Sequence, residues 1–190
     1  MSTPEGTLKF LHVIENLKRT KRTGWVDHGI SDAESIGDHM HRMSVLALLT
    51  TDPALDRIKL TKMALVHDLA ESIAGDITPH SGVSKEKKHK LERDGMDELV
   101  GLLGKSAEAM EIKALWEEYE AAETPEALYC KDLDKFEMIV QAVEYEKRHE
   151  DKNLDAFFES TDGKFGHPTV QSWVEALYKE REEIKARRAA

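Results

Sequence analysis

The chain has 190 residues, of which 40% are hydrophobic and 34% charged, and a formal net charge of −10 at neutral pH. That length suits one domain, residues 1–190, around a single core and is short for two. The acidic balance repels a polyanion at long range and disfavours nucleic-acid polymers, while a small anion stays admissible where a bound cation supplies a local positive field.

The first residues, MSTPEGTLKF, have neither the basic start nor the apolar run of a secretory signal, and no later stretch approaches the roughly 20 apolar residues of a membrane span. A cytoplasmic protein with no membrane partner is expected. Over residues 7–19, Phe10, Ile14 and Leu17 recur at i, i+4, i+7 and predict the first helix. Residues 20–32 carry two glycines and no periodicity, which predicts a loop, with Trp25 an unusually large apolar group for one. Ser35 followed by Asp38 matches a capping box, so the second helix, 39–49, begins beside His39. After the break at Asp52-Pro53, residues 58–74 predict a third helix closed by Gly75, and 76–84 a loop.

A fourth helix over 85–103 has a basic start and a stripe of Met96, Leu99, Val100 and Leu103. The fifth, 107–122, turns Ile112, Leu115, Trp116 and Tyr119 inward. Thr124-Pro125 caps and opens the sixth, 125–148, in which Leu128, Leu133, Phe136, Ile139, Val140 and Val143 surround Asp134. A polar loop follows. His167-Pro168 opens the last helix, where Val170, Trp173, Val174, Leu177 and Tyr178 share a face before a charged tail expected to fray, as are the first few residues. The fold class is all-α, an irregular bundle of about seven helices with unequal connections. Cys130, the one cysteine, is expected to be buried and unpaired in a reducing compartment.

Chemistry concentrates in MALVHDLAESIAGDITP. In a continuous helix His67 and Glu71 lie one turn apart on one face with Asp68 beside them, embedded among Leu65, Val66, Leu69 and Ile73. A buried imidazole next to two carboxylates is costly unless positive charge offsets them, and a divalent cation does so. Two ligands do not hold a metal. His39, at the start of one apolar helix, and Asp134, in the middle of another, are the residues that complete the set. Mixed nitrogen and oxygen donors suit Mn, Co, Fe or Zn, with Mg less favoured by the imidazoles.

His39, the doublet His67-Asp68 and Asp134, in that order, resemble the H…HD…D signature of the HD superfamily of metal-dependent phosphohydrolases. The strings LKRTKRTGWV, ESIGDHMHRM, LVHDLAESIAGDITP, KEKKHKLE, LWEEYE and STDGKFGHP, in order over nearly the whole chain, are similar to the HD-domain-containing protein 2 family of 5'-deoxynucleotidases. The resemblance implies the HD-type helical fold, a homodimer, and hydrolysis of a deoxynucleoside 5'-monophosphate to deoxynucleoside and phosphate. It also implies a catalytic Mn, Co or Mg ion, with Zn or Fe as alternatives, at His39, His67, Asp68 and Asp134. Glu71, Asp76 and the backbone carbonyl of Ile77 match positions that hold a second metal in the family. Bacterial relatives use the carboxylate aligned with Glu71 in catalysis and an Arg-Trp pair to place phosphate and sugar, which points to Arg22 and Trp25. Here Thr23 and Gly24 separate that pair, a departure from the pattern. The loop Asp76, Ile77, Thr78, Pro79 corresponds to a stretch lining the nucleotide pocket.

Glu71 has two competing roles, proton donor or water-orienting group on one side and second-metal ligand on the other. The run 85–90 reads either as a solvated helix start or as a funnel for an anion. Glu117, Glu118 and Glu120 read as a solvated face, and Trp116, Tyr119 and Trp173 as core or dimer face. His41 is expected at the surface or behind the site. His12, His28, His80, His89, His149 and His167 show no partner pattern, and His167 reads as a helix-opening residue. Rival functions are another HD-type nucleotide phosphohydrolase or phosphodiesterase, a non-hydrolytic metal-binding helical protein, and an interaction module.

Overall fold

Short polar residues set most of the helix starts. Thr3, Ser35, Asp56, Ser84, Ser106 and Thr124 each accept a hydrogen bond from a backbone amide of the first turn, and such a cap is worth about 1 kcal/mol. Ser35 and Asp38 close the expected capping box in both directions. The helices are α1 (Pro4–Ile14), α2 (Asn16–Arg19), α3 (Thr23–Asp27), α4 (Ile36–Leu48), α5 (Arg57–Val66), α6 (Glu71–Ala74), α7 (Lys85–Leu102), α8 (Ala107–Ala121), α9 (Pro125–Arg148), α10 (Asp155–Thr161) and α11 (Pro168–Ala189). This architecture comes from a computed structural model that describes residues 2–79 and 81–189, the last by its backbone alone; Met1, His80 and Ala190 lie outside the described residues. Among the described residues the fold is all-α, and the only extended pairing is an isolated bridge between Lys21 and Ser35.

The third expected helix is broken where the chemistry lies. α5 ends at Val66, and the amides of Leu69, Glu71, Ser72 and Ile73 donate to the carbonyls of Val66, Asp68, Leu69 and Ala70. These i→i+3 bonds tighten the chain into a narrow turn, so His67 and Asp68 sit on that turn rather than on a regular helix face. The segment is not buried all round as its composition suggests, for Leu65 is 50% exposed and Ile73 37%. Leu128, expected inward on α9, also faces out.

The stretches expected as loops hold structure. α3 forms within 20–32, and Trp25 is 1% exposed because its Nε1 donates to Glu34 Oε1 at 2.9 Å while its ring meets Tyr145 edge-on. α10 forms in the polar stretch after α9. The C-terminal helix continues through Ala189 instead of fraying, anchored by Arg181 and Arg188, which donate to the carboxylate and the carbonyl of Glu146. α9 is the axis of the molecule: α4, α5, α8, α10 and α11 pack on it, and Leu133, Ile139, Ala142 and Cys130 have no exposed surface. Among the described residues no helix is long and apolar enough to cross a membrane.

Candidate metal centre

Three parts of the chain deliver the four expected ligands to one place. His39 comes from the first turn of α4, His67 and Asp68 from the tight turn after α5, and Asp134 from the middle of α9. His39 Nε2 lies 3.2 Å from Asp134 Oδ1 and 3.8 Å from Asp68 Oδ2, and His67 Nε2 lies 3.1 Å from Asp68 Oδ2. Donor atoms of His39, His67 and Asp134 fall within 4.8 Å of one another. Each ring is oriented from behind: His39 Nδ1 bonds Glu137 Oε2, and His67 Nδ1 donates to the Ala64 carbonyl at 2.9 Å. A carbonyl can only accept, so the His67 proton sits on Nδ1 and its Nε2 lone pair points inward. Tyr119 donates its hydroxyl to Asp134 Oδ2 at 2.8 Å, which leaves Oδ1 turned toward His39.

His39 Nε2, His67 Nε2, Asp68 Oδ2 and Glu71 Oε2 are buried without a hydrogen-bond partner. Buried polar atoms are normally paired, and unsatisfied imidazole nitrogens converging with carboxylate oxygens are the donor set of a divalent transition metal. The electrostatics ask for the same charge. Burial, and then Arg22, disfavour a charged His39, yet Glu137 and Asp134 push it up to about 10. Burial favours protonation of Asp68, but His67, His39 and Arg22 hold it down at about 2; Asp134 is likewise held well below the carboxylate range against its burial, by the adjacent His39 and by the charges of His67 and Arg22. A second close group, Glu34, His39 and Glu137, is met by protein donors instead, from Trp25 to Glu34 and from Arg42 Nε to Glu137 at 2.7 Å.

His67, Asp68 and Asp134 line a cavity of about 860 Å³, the size of a small-ligand site. Arg22 stands at its edge, 3.6 Å from Asp68 and 3.8 Å from Glu34, ion-pair distances that leave its planar fork uncommitted. Lys88 and Lys131 line it as well, so of the basic run 85–90 it is Lys88 that reaches the cavity. Lys88 Nζ donates to the Ile77 carbonyl at 2.9 Å. Asp76 Oδ2 accepts the amide of Thr23, and the Asp76 carbonyl accepts the Thr23 hydroxyl at 2.8 Å. Asp76 and Ile77 thus already accept from protein donors, whereas Glu71 Oε2 has none. Glu71 itself is 6% exposed, and burial first, then Asp68 and Asp76, push its carboxyl well above the ordinary range. Thr78 and Pro79 line the cavity, and so does Trp25, but the Trp25 ring lies under Phe157, centroids 4.2 Å apart at 29°.

Glu137, Tyr119 and Phe157 had no place in the sequence reading of the site. A glutamate three residues after Asp134 on a helix with apolar sides was the available signal for Glu137. Tyr119 matched its expected inward position, yet its hydroxyl gives it a polar task that periodicity does not show. Trp116 and Tyr119 are core residues, 2% and 4% exposed. His28 lines the cavity, His41 is exposed, and Glu120 also borders the cavity.

The fold and this cluster define a class: a helical protein with a candidate divalent-metal centre of histidines and aspartates beneath a pocket edged by cationic side chains. Residues 14–177 match the HD domain, and the chain belongs to the HD domain family. It is 48% identical over 182 residues to the 5'-deoxynucleotidase hdd1 of Schizosaccharomyces pombe, covering 93% of this chain and 91% of that protein. It is 43% identical over 175 residues to the 5'-deoxynucleotidase HDDC2 of Homo sapiens, covering 92% and 85%. Among solved structures, PH0347 protein from Pyrococcus horikoshii OT3 matches with a TM-score of 0.74 at 31% identity, covering 90% of this chain and 96% of that one. A predicted metal-dependent phosphohydrolase from Magnetospirillum magnetotacticum MS-1 matches with a TM-score of 0.72 at 27% identity, covering 94% and 92%.

Proposed function

We propose that this chain is a divalent-metal-dependent 5'-deoxynucleotidase that releases phosphate from deoxynucleoside 5'-monophosphates, in line with the names of its relatives at 43–48% identity. The observation that carries the reading is the set of unpartnered inward atoms on His39, His67 and Asp68, with Asp134 Oδ1 beside them, at the floor of a pocket edged by Arg22 and Lys88. His39, His67, Asp68 and Asp134 hold the cation, Mn, Co or Mg in the family pattern. When bound, it acts as a Lewis acid on the phosphoryl group and activates water.

Arg22 places its guanidinium fork on the phosphate, which planar guanidinium groups bind through two parallel hydrogen bonds. Glu71 donates the proton to the departing 5' oxygen: burial beside Asp68 and Asp76 pushes its carboxyl well above the ordinary range, and its Oε2 is uncommitted. Asp76 and Ile77, whose oxygens already accept from Thr23 and Lys88, shape the pocket loop together with Thr78 and Pro79 instead of holding a second cation. Trp25 supports the pocket wall from behind. Residues 1–190 form one domain, consistent with a single continuous core cluster. A homodimer in the cytoplasm completes the reading, and the buried, unpaired Cys130 suits a reducing compartment.

The test is a phosphate-release screen over nucleoside mono-, di- and triphosphates, ribo and deoxy, with Mn, Co, Mg or Zn restored after chelation. Release from deoxynucleoside monophosphates that depends on the added cation is the expected result. Release from no nucleotide with any cation sinks the reading, and release from triphosphates or cyclic nucleotides alone moves the chain to another HD-type hydrolase.

A further inference from the structure

The cavity has two chemistries. Near Asp68 and Asp134 it is ionic, edged by Arg22, Lys88 and Lys131, whereas one helical turn along α9 from Asp134 it is bounded by Met138 and by Phe157 from α10. A nucleoside monophosphate has the same polarity, an anion at one end and a flat, largely apolar ring at the other. We propose that Phe157 is the stacking platform for the nucleobase, an assignment that rests on the nucleotidase reading and extends it to how the substrate is told from a bare sugar phosphate.

The ring is held in place before any ligand arrives. Its rear face packs on Trp25, whose own indole is fixed by Glu34 and Tyr145. The imidazole of His28, tied by Nδ1 to the Gly24 carbonyl at 2.8 Å, lies 4.8 Å from it. Gly24 makes the seat possible, since a Cβ there would stand 3.3 Å from Phe157 Cε1 and 3.5 Å from Cζ. α10 is itself pinned, because Asp155 at its first turn accepts from Arg181 and Lys185 of α11. Phe157 is only partly buried and lines the cavity, so the ring is held by a rigid mount and leaves part of its surface open. Such pre-organisation lowers the ordering cost of binding. Of the polar side chains bordering this end, Asp27 and Ser160 are exposed and His28 and Lys135 half-buried. The ring itself is hydrocarbon and senses the π-face of a base, so a purine, with the larger face, gains more than a pyrimidine from it.

The experiment compares kcat/KM for deoxyadenosine 5'-monophosphate with that for 2-deoxyribose 5-phosphate, in the Mn-loaded full chain and in variants. From the usual value of base–aromatic stacking, Phe157→Leu lowers the ratio of the two about tenfold, mainly through KM, and Phe157→Tyr restores it. Phe157→Met serves the same purpose if the Leu variant does not fold, and its ratio falls likewise. A ratio unchanged in the folded Leu or Met variant, while the unaltered protein is active, overturns the platform and leaves the nucleotidase reading standing. An unaltered protein that hydrolyses no nucleotide overturns both.

Discussion

Helix α9 carries two clusters of buried charge that are settled in opposite ways. Near its end, Glu146 is 5% exposed, and every carboxylate lone pair in use is met by the protein: Arg181 donates Nε to Oε2 at 2.8 Å and a terminal nitrogen to Oε1 at 2.6 Å, and the Leu154 amide donates to Oε1 at 3.1 Å. The Arg181 guanidinium also lies over the Phe158 ring at 3.6 Å. Twelve residues earlier, a rise of about 18 Å in an α-helix, Asp134 joins His39, His67 and Asp68, and there the inward nitrogens and Asp68 Oδ2 have no hydrogen-bond partner. Both clusters are desolvated. In one the fold supplies the compensating charge and gains a clasp between α9, α10 and α11; in the other the fold orients the donors from behind, through Glu137, Ala64 and Tyr119, and leaves the compensation to a ligand.

Removing a group from the open cluster should cost function above all. Asp68→Ala should lower kcat/KM on the order of a thousandfold, and elemental analysis after dialysis should show that the variant no longer retains its cation, with the helical circular dichroism preserved. Full turnover with the cation retained would place the two clusters in the same category and end the comparison. Removing a group from the closed cluster should cost stability. Arg181→Ala, which strands Glu146 in the interior, should lower the unfolding free energy in urea by about 3 kcal/mol while leaving kcat as it was; a drop in kcat with stability intact would give Arg181 a functional role.

The next two changes sharpen the boundary between the clusters. Glu71→Gln should reduce kcat on the order of a hundredfold and leave the bound cation in place, whereas loss of the cation would mark Glu71 as a ligand and not a proton donor. Glu137 belongs partly to each category, being a buried carboxylate satisfied by Arg42 and also the group that turns His39. Glu137→Gln should weaken cation affinity about tenfold, read by competition with a chelating dye. A stability loss as large as that of Arg181→Ala, with affinity unchanged, would assign it to the closed kind.

Much of this was legible in the chain. The helix starts at Ser35 and Thr124 follow from side chains that accept from amides three residues on, and the stripe of Met96, Leu99 and Val100 follows from helical spacing. His39, His67, Asp68 and Asp134 stood out because ionisable residues in apolar surroundings need compensation. The break after Val66 did not stand out, since residues 58–74 have helical composition throughout, and the i→i+3 turn lies between α5, which packs on α4 and α9, and α6, which packs on α7. Trp25 was visible as an oddity in a loop, but its stacking against Phe157 was not.

Sequence by itself determined the all-helical class and several of the places where helices begin, and marked the candidate ligands, because each depends on neighbours within a turn or two. Tertiary structure alone decided that Glu137, 98 residues from His39, orients its ring, and that Asp76 is tied to Thr23 across 53 residues. It also decided that Trp25 and Phe157 stack on each other at the cavity wall, 132 residues apart in the chain. Those outcomes depend on how distant helices pack, and close packing of side chains from separate elements leaves no periodic trace along the chain.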